Sequence, residues 1–257
     1  MTRAVSAAVI IPAYNSGQTL DRTLASAVDS LNFARAQLSA PLAAEIIVVD
    51  DCSADDTAAV TEAWTAREPA VRLVRNPTNA GPGFSRNEGV RKSSGSFLFF
   101  LDADDIFYAS HMHVCLDALL RDDSVGYVFT RMKIDMPMHP DWPPSLDESC
   151  PINFCVRRVW HDMIQGFAEE ADFRTYRTED TLYRLCLRDL VKHKKIEIET
   201  CEQFVSPGNA LDRQREKFAS SMAELRGKPI GGGFVLTPQM DAVVKARQDH
   251  IRKLLGG

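Results

Sequence analysis

Three carboxylates directly follow an apolar run near the middle of the chain. Residues 97–101 (FLFFL) form a continuous apolar segment, typical of a strand buried on both faces. Asp102, Asp104 and Asp105 come immediately after it. Open α/β sheets bind ligands at the carboxyl ends of their strands, and Mg²⁺ prefers carboxylate oxygens together with substrate phosphates. The pattern predicts a metal-diphosphate site, the alternative being an Asp-rich turn that caps a helix from about Tyr108.

Further carboxylates follow a second apolar run and begin a later helix. Asp50 and Asp51 end the predicted strand 45–49. Because the carboxyl ends of parallel strands share one edge of a sheet, we expect this pair near the first cluster. Glu179 and Asp180 head a predicted helix that reaches about residue 191. Acidic groups favour a helix N-terminus electrostatically, whatever else they do.

Composition places the chain among ordinary globular proteins. It has 257 residues, 45% of them hydrophobic and 25% charged, with a net charge of -5. The negative balance argues against nucleic acid as a partner, since that affinity rests on Lys and Arg. The six cysteines show no CxxC pair, no secretory leader precedes the first strand, and no apolar stretch reaches the ~20 residues of a membrane span. These features predict a cytoplasmic protein without a transmembrane segment.

Strand and helix patterns alternate through the first half. This order predicts an α/β fold, with a mostly parallel, Rossmann-like central sheet flanked by helices in a single domain. The predicted strands are 5–11, 45–49, 71–74 and 97–101, and the predicted helices between them are 18–37, 57–67 and 84–92.

The second half is less regular. Pro137, Pro140, Pro143 and Pro144 make segment 135–151 a predicted loop, in which Trp142 could stack on a sugar or pin the loop to the core. The last predicted helix, 239–255, places apolar residues beside Lys and Arg. Such a helix can lie peripherally on an anionic membrane, but docking on the protein itself or on a second subunit, as in a homodimer, is favoured. The other predicted elements are helices at 111–120, from 158 and at 178–191, and strands at 125–132 and near Phe154.

Six short blocks occur in an order that resembles the family 2 inverting glycosyltransferases of the GT-A fold. They span roughly residues 5 to 190, and the ordered set is far more specific than any one block. The blocks are VIIPAYN at 9–15, IIVVDDCS at 46–53, NAG at 79–81, RNEG at 86–89, LDADD at 101–105, and ED at 179–180 followed by Arg184.

The resemblance implies a site for a nucleoside diphosphate sugar. A carboxylate suits the ring N–H of uracil, so a UDP-sugar is the expected donor. Arg86 is expected to help hold the donor, with a surface salt bridge as the alternative. The residues that the resemblance implies as donor contacts are Pro12, Ala13, Tyr14, Asn15, Asp50, Asp51, Arg86, Asp102 and Ala103.

The resemblance also implies the catalytic groups. Asp102 and Asp104 match the family's DxD motif and would hold Mn²⁺ or Mg²⁺, with Asp104 the more direct ligand. Asp180 matches the catalytic base that deprotonates an acceptor hydroxyl, so that a single displacement inverts the sugar. The acceptor could be a glycan, a lipid carrier, a small molecule or a peptide.

The resemblance divides the chain and leaves other activities open. We expect a donor half at 1–110, an acceptor half at 111–225 and an extension at 226–257. Gln165 stands where members often have glycine, so we expect it to narrow a wall at which backbone normally approaches the sugar. Arg213 is a candidate for a loop that closes over the diphosphate. Alternatives are a nucleotidyltransferase, a DxD phosphatase of similar architecture, or a non-catalytic sugar-nucleotide binding protein.

Overall fold

The computed structural model describes residues 4–134, 136, 146–176, 178–188, 190–205, 211–212 and 237–256. Trp142 and Arg213, and the expected boundary at residue 225, lie outside these residues. The strands of the described part are β1 (Val5–Ala13), β2 (Leu42–Asp50), β3 (Val71–Arg75), β4 (Phe97–Phe100), β5 (Ile106–Phe107), β6 (Tyr127–Ile134), β7 (Phe154–Arg157) and β8 (His193–Gln203). The helices are α1 (Leu20–Gln37), α2 (Thr57–Thr65), α3 (Pro82–Arg91), α4 (His111–Arg121), α5 (Arg158–Met163), α6 (Ala171–Tyr176), α7 (Glu179–Arg188) and α8 (Pro238–Leu254).

One sheet joins these strands in the order β3-β2-β1-β4-β7-β6-β8-β5. β1, β2, β3 and β4 pair in parallel, as the alternating sequence pattern predicts. β7 runs antiparallel to both β4 and β6, and β5 runs antiparallel to β8, whereas β6 and β8 are parallel. The α/β fold with a mostly parallel sheet in a single domain is confirmed.

Alternate side chains of β1 enter two cores on opposite faces of the sheet. Val9 and Ile11 belong to the first core, which α1, α2 and α4 cover. Ala8 and Ile10 belong to the second, which α3 and α7 cover. All four residues are completely buried. Burial on both faces explains why this strand has no polar alternation in its sequence.

The C-terminal helix α8 packs on the second core. Met240, Val244 and Ile251, spaced at helical intervals, are buried in that core. Much of the apolar face therefore packs on the protein itself, as one of the predicted alternatives has it, whereas Leu254 and Leu255 at the end of the helix remain exposed. None of the described helices is long and apolar enough to cross a bilayer.

Two expectations about local structure change. The Asp-rich turn does not cap α4, because β5 lies between them and Ser110, the N-cap, makes no side-chain capping bond. The strand β8 and the short elements β5 and α6 were not predicted. In β8 the sequence HKKIEIETCEQ has five charged residues among eleven, and the short β5 pairs only with Cys201 and Glu202 near its end, so β8 lacks the apolar run of a central strand.

Candidate active site

The carboxyl ends of β1, β2 and β4 lie side by side, which places the predicted site residues at one edge of the sheet. Ala13 is in register with Asp50, and the amide of Asp51 donates to the Ala13 carbonyl at 2.8 Å. The amide of Leu101 donates to the Ile10 carbonyl at 3.0 Å. The strand ends are therefore hydrogen-bonded to one another up to the residues of interest.

Helix α1 holds the turn that carries the paired aspartates. The Ala103 carbonyl accepts hydrogen bonds from the hydroxyls of Thr19 and Thr23, at 2.8 and 3.0 Å. The Arg22 guanidinium donates to the Asp104 carbonyl at 2.7 Å. Asp102 keeps 28% of its side chain exposed. These hydrogen bonds hold the backbone of the turn, while the Asp102 carboxylate remains partly exposed.

Arg86 joins Asp102 to Glu179 inside the protein. Its two terminal nitrogens lie 2.6 Å from Asp102 Oδ1 and 2.9 Å from Glu179 Oε1. Burial alone would lower the pKa of Arg86, but the charges of Asp102 and Glu179 outweigh it and raise the pKa. The Arg86 side chain is only 5% exposed, so the surface salt bridge considered from the sequence is wrong: the pair with Glu179 is buried and the pair with Asp102 is partly buried.

Asp180, the predicted base, lies beside this network at the start of α7. Its Oδ1 accepts the Thr181 amide at 2.6 Å. Desolvation, followed by the negative charge of Glu179, raises the pKa of Asp180 to about 7, although Arg86 opposes the shift. A carboxylate with a pKa near neutrality can accept a proton efficiently in the physiological pH range.

Asp105 is a buried member of the acidic cluster that sequence reasoning did not assign a role. Its Oδ1 accepts the amide of Phe204 at 2.9 Å, which ties the turn to the residue just after β8. Burial, followed by repulsion from Asp104 and Asp102, raises its pKa well above the ordinary value. The four-residue turn 102–105 therefore brings together three carboxyl groups that repel one another.

The loop after β1 is bound to the loop after β2. The Asn15 amide donates to Ser53 Oγ and its side-chain oxygen accepts the Ala54 amide, each at 2.9 Å. Asn15 adopts a left-handed φ of 50°, which Asn tolerates better than most residues. Pro12 and Ala13 end the strand below, and Tyr14 remains 54% exposed above it. A large aromatic face is thereby presented next to the acidic strand ends.

Asp51 organises the loop between β3 and α3. Its Oδ1 accepts the Asn76 side-chain amide at 2.7 Å and the Ala80 amide at 2.9 Å, and its Oδ2 accepts the Gly81 amide at 2.7 Å. Gly81 has a φ of 90°, a conformation that favours glycine. Asp50 lies beneath, with Oδ1 accepting the Ser53 amide at 2.9 Å. The sequence did not predict that Asp51 accepts three hydrogen bonds from this loop.

The fold and this edge of the sheet define a class of protein. Over 97% of the chain, the structure is similar to S. aureus TarS 1-349 solved with UDP-GlcNAc, with a TM-score of 0.64 at 18% identity, covering 73% of that chain. A mannosyltransferase from Pyrobaculum calidifontis, PcManGT, solved with GDP-Man and Mn²⁺, gives a TM-score of 0.63 at 17% identity and covers 97% of this chain and 70% of its own. The chain has the GT-A fold that was expected.

The family follows from the sequence comparison. The family model described as Glycosyl transferase family 2 matches residues 8–192, and the chain belongs to that family. The succinoglycan biosynthesis protein ExoO of Rhizobium meliloti is 38% identical over 96 residues, 37% of this chain and 24% of that protein. The chondroitin synthase of Escherichia coli is 32% identical over 130 residues, 51% of this chain and 18% of its own length. The matched region thus spans less than a quarter of either relative.

Proposed function

We propose that this chain is a metal-dependent, inverting glycosyltransferase that takes a sugar from a UDP-sugar. The observation that carries the proposal is the link through Arg86 between Asp102 at the end of β4 and Glu179 beside Asp180. This link places the carboxylate of Asp102, which suits a cation, in one site with Asp180, whose pKa is near neutrality. Departure of a diphosphate and activation of a hydroxyl need these two kinds of group.

Asp102 and Asp104 would hold the cation, Mn²⁺ or Mg²⁺. Across the ranges that the structure describes, no three His, Cys, Asp or Glu side chains are grouped to hold a metal. One or two carboxylates are what Mg²⁺ usually takes from a protein when substrate phosphates and water complete its shell. The repulsion that raises the pKa of Asp105 would be relieved by positive charge at this turn. When bound, the cation stabilises the negative charge on the leaving diphosphate.

The donor base is proposed to bind between Tyr14 and the loop that Asp51 organises. A carboxylate offers about four acceptor positions, of which Asp51 uses three within the protein. The remaining position suits the ring N–H of uracil, and the exposed ring of Tyr14 offers a stacking surface. The TarS structure with UDP-GlcNAc supports a uridine nucleotide, whereas PcManGT was solved with a guanosine one.

Asp180 is proposed as the general base. Its carboxylate would take the proton of the acceptor hydroxyl as the oxygen attacks the anomeric carbon opposite the diphosphate. One displacement of this kind inverts the configuration at that carbon. Since the pKa of Asp180 is raised to about 7, the charged fraction of the base increases as the pH rises through neutrality. The transfer rate should therefore increase with pH between about 6 and 8.

The assignment of Asp104 is tested by release of UDP from UDP-glucose, UDP-galactose, UDP-GlcNAc and UDP-glucuronic acid. With Mn²⁺, the wild type should release UDP from at least one of them, and EDTA should stop the release. Asp104→Asn keeps the shape of the side chain but loses its charge, so release should fall about 100-fold or more.

The matched control is Asp117→Asn, which makes the same change at an exposed carboxylate of α4 paired with Arg121. It should release UDP at the wild-type rate. Turnover that persists in excess EDTA, or an active Asp104→Asn variant, would show that the DxD assignment is wrong. Release of pyrophosphate or inorganic phosphate instead of UDP would point to a nucleotidyltransferase or a phosphatase.

A further inference from the structure

The C-terminal helix α8 contributes a buried arginine to a turn below the candidate site. Arg247 Nη1 donates to the carbonyls of Gly166 and Ile164, at 2.6 and 3.2 Å, and Nη2 lies 3.5 Å from the Phe167 carbonyl. The only carboxylate paired with Arg247 among the described residues is that of Glu170, at 3.8 Å. Arg247 is 8% exposed. A buried guanidinium is thus bound mainly by backbone carbonyls.

The carbonyls in question belong to a turn with unusual backbone conformation. Gln165 and Gly166 both adopt left-handed φ angles, 65° and 68°. They follow α5, whose last carbonyls the turn itself caps: the Gln165 amide donates to the Asp162 carbonyl at 3.0 Å and the Gly166 amide to the His161 carbonyl at 2.9 Å. The carbonyls that Arg247 binds come after the last helical residue. Arg247 therefore adds side-chain hydrogen bonds to a turn in which a residue other than glycine, Gln165, holds a left-handed φ.

The same turn supports the ion-pair network. The Phe167 amide donates to Asn87 Oδ1 at 2.9 Å, and Asn87 Nδ2 donates back to the Phe167 carbonyl at 3.0 Å. The Phe167 ring stacks on Tyr183 of α7, with centroids 4.1 Å apart. The centroid of the same ring also lies 5.2 Å from the central carbon of the Arg86 guanidinium. Phe167 thus touches both the arginine of the network and the helix that begins with Glu179.

We propose that Arg247 is a positioning residue for the active site, acting through the Gly166–Phe167 turn on Arg86 and α7. This inference rests on the proposed function, because it takes Glu179 and Asp180 as the groups to be positioned. It gives one residue of α8, a helix that lies beyond residues 8–192 of the family match, an effect on the active site.

Docking of the helix alone does not account for Arg247. The buried side chains of Met240, Val244 and Ile251 already attach α8 to the second core. Burying a guanidinium costs free energy that an apolar residue of similar size would avoid. Its guanidinium faces the carbonyls of Ile164, Gly166 and Phe167, so the arginine fixes the position of the turn backbone in a way that apolar packing would not.

Hydrogen–deuterium exchange on the purified full chain tests the coupling without any substrate. Arg247→Met keeps much of the side-chain volume but loses the bonds. It should speed exchange about tenfold or more at the amides of 164–168 and also at 179–184 in α7. The control Arg252→Gln changes an exposed arginine of the same helix and should leave both segments within about twofold of the wild type. Faster exchange confined to α8 and 164–168 would overturn the inference.

Kinetics give the second readout, with UDP release from the active UDP-sugar and Mn²⁺. Arg247→Met should lower kcat about 10- to 100-fold while the KM for the donor changes little, since misplacement affects the chemical step more than binding. The acid limb of its pH profile should move upward as the positive charge of Arg86 shifts away from Asp180. Ile251→Ala, a buried variant of α8 without the carbonyl bonds, should lower the melting temperature but leave kcat near wild type.

Arg247→Lys covers the case in which the methionine variant does not fold. It keeps the charge but not the fork of donors, so it should fold and show an intermediate kcat. A folded lysine variant with wild-type kcat and exchange would overturn the inference. Asp180→Asn, assayed in parallel, distinguishes failure of the proposed function from failure of the positioning role. An active Asp180→Asn variant contradicts the proposed function. An inactive Asp180→Asn variant beside an unaffected Arg247→Lys variant contradicts the positioning role alone.

Discussion

Single carboxyl groups at this edge of the sheet differ in their surroundings, and the differences suggest distinct tasks. Asp102 is part exposed and ion-paired, Asp105 is buried and tied to Phe204, and Asp180 has a pKa raised to about 7. Burial and neighbouring like charge raise the pKa of Asp105 and of Asp180, as is typical of carboxyl groups that take part in acid–base chemistry in active sites. An exposed acid that only stabilised a helix start would instead have a pKa lowered by the helix terminus.

Asp180→Asn separates these two interpretations. As a lost general base, the variant should bind UDP and Mn²⁺ about as well as the wild type and transfer sugar at least about 100-fold more slowly. Measurement of kcat together with UDP affinity by calorimetry checks this. Near-normal transfer would make Asp180 a helix-terminal residue only, with Glu179 the next candidate for the base.

The stability of the same variant should depend on pH in a defined direction. The folded-state pKa of Asp180 lies above its ordinary value of 3.8, so the folded protein retains a proton that the unfolded chain releases between about pH 4 and 7. Wild-type stability is therefore lost through this group as pH rises across that window. Asp180→Asn has no such titration, so its melting temperature should gain on the wild type from pH 5 to pH 8. A variant that is less stable at pH 8 by the same margin as at pH 5 would contradict the raised pKa.

At the scale of elements, loops joined to neighbouring strands set the shape of the donor side. Asp51 receives three donors from the loop before α3, and Asn15 exchanges hydrogen bonds with the loop after β2. The loops that would touch a nucleotide are thus attached to one another and to strand ends. Loops fixed on a rigid sheet are a common way to position binding groups.

Asp51→Ala should both loosen this loop and remove a contact to the base. We expect UDP affinity to fall about 10- to 100-fold, from the loss of a charged hydrogen bond, while the Mn²⁺ requirement stays. Calorimetric titration of UDP checks it, with Asp29→Ala on the exposed side of α1 as the control, which should bind UDP as the wild type does. Unchanged affinity in Asp51→Ala would remove Asp51 from the donor site.

Elements whose pattern is local were predictable, and those that depend on distant partners were not. The apolar strands β1 and β4 and the helix α1 follow from periodicity alone. The charged strand β8 pairs along its length with β6, and the two-residue strand β5 pairs with β8, 94 residues apart between Phe107 and Cys201. The sequence order of the motif blocks indicated the family, but not that Arg86 is buried between two carboxylates.

At the scale of the whole molecule, the candidate site lies where the two halves of the chain meet. Arg86 comes from the first half and Glu179 from the second, 93 positions apart, and both cores extend beneath them. The first half supplies the proposed donor contacts, the second supplies the proposed base, and the extension supplies the helix α8. A site assembled in this way depends on the packing of the complete fold rather than on one motif.

The central claim, a cation-dependent site for a UDP-sugar, is tested most directly by thermal denaturation of the purified chain with nucleotide sugars. With Mn²⁺ present, a UDP-sugar at about 100 times its dissociation constant should add ~2.7 kcal/mol and raise the melting temperature by about 5–10 °C. The increase should vanish with EDTA and in Asp104→Asn. If no UDP-sugar raises the melting temperature, or if the same increase persists in EDTA and in Asp104→Asn, the account is contradicted.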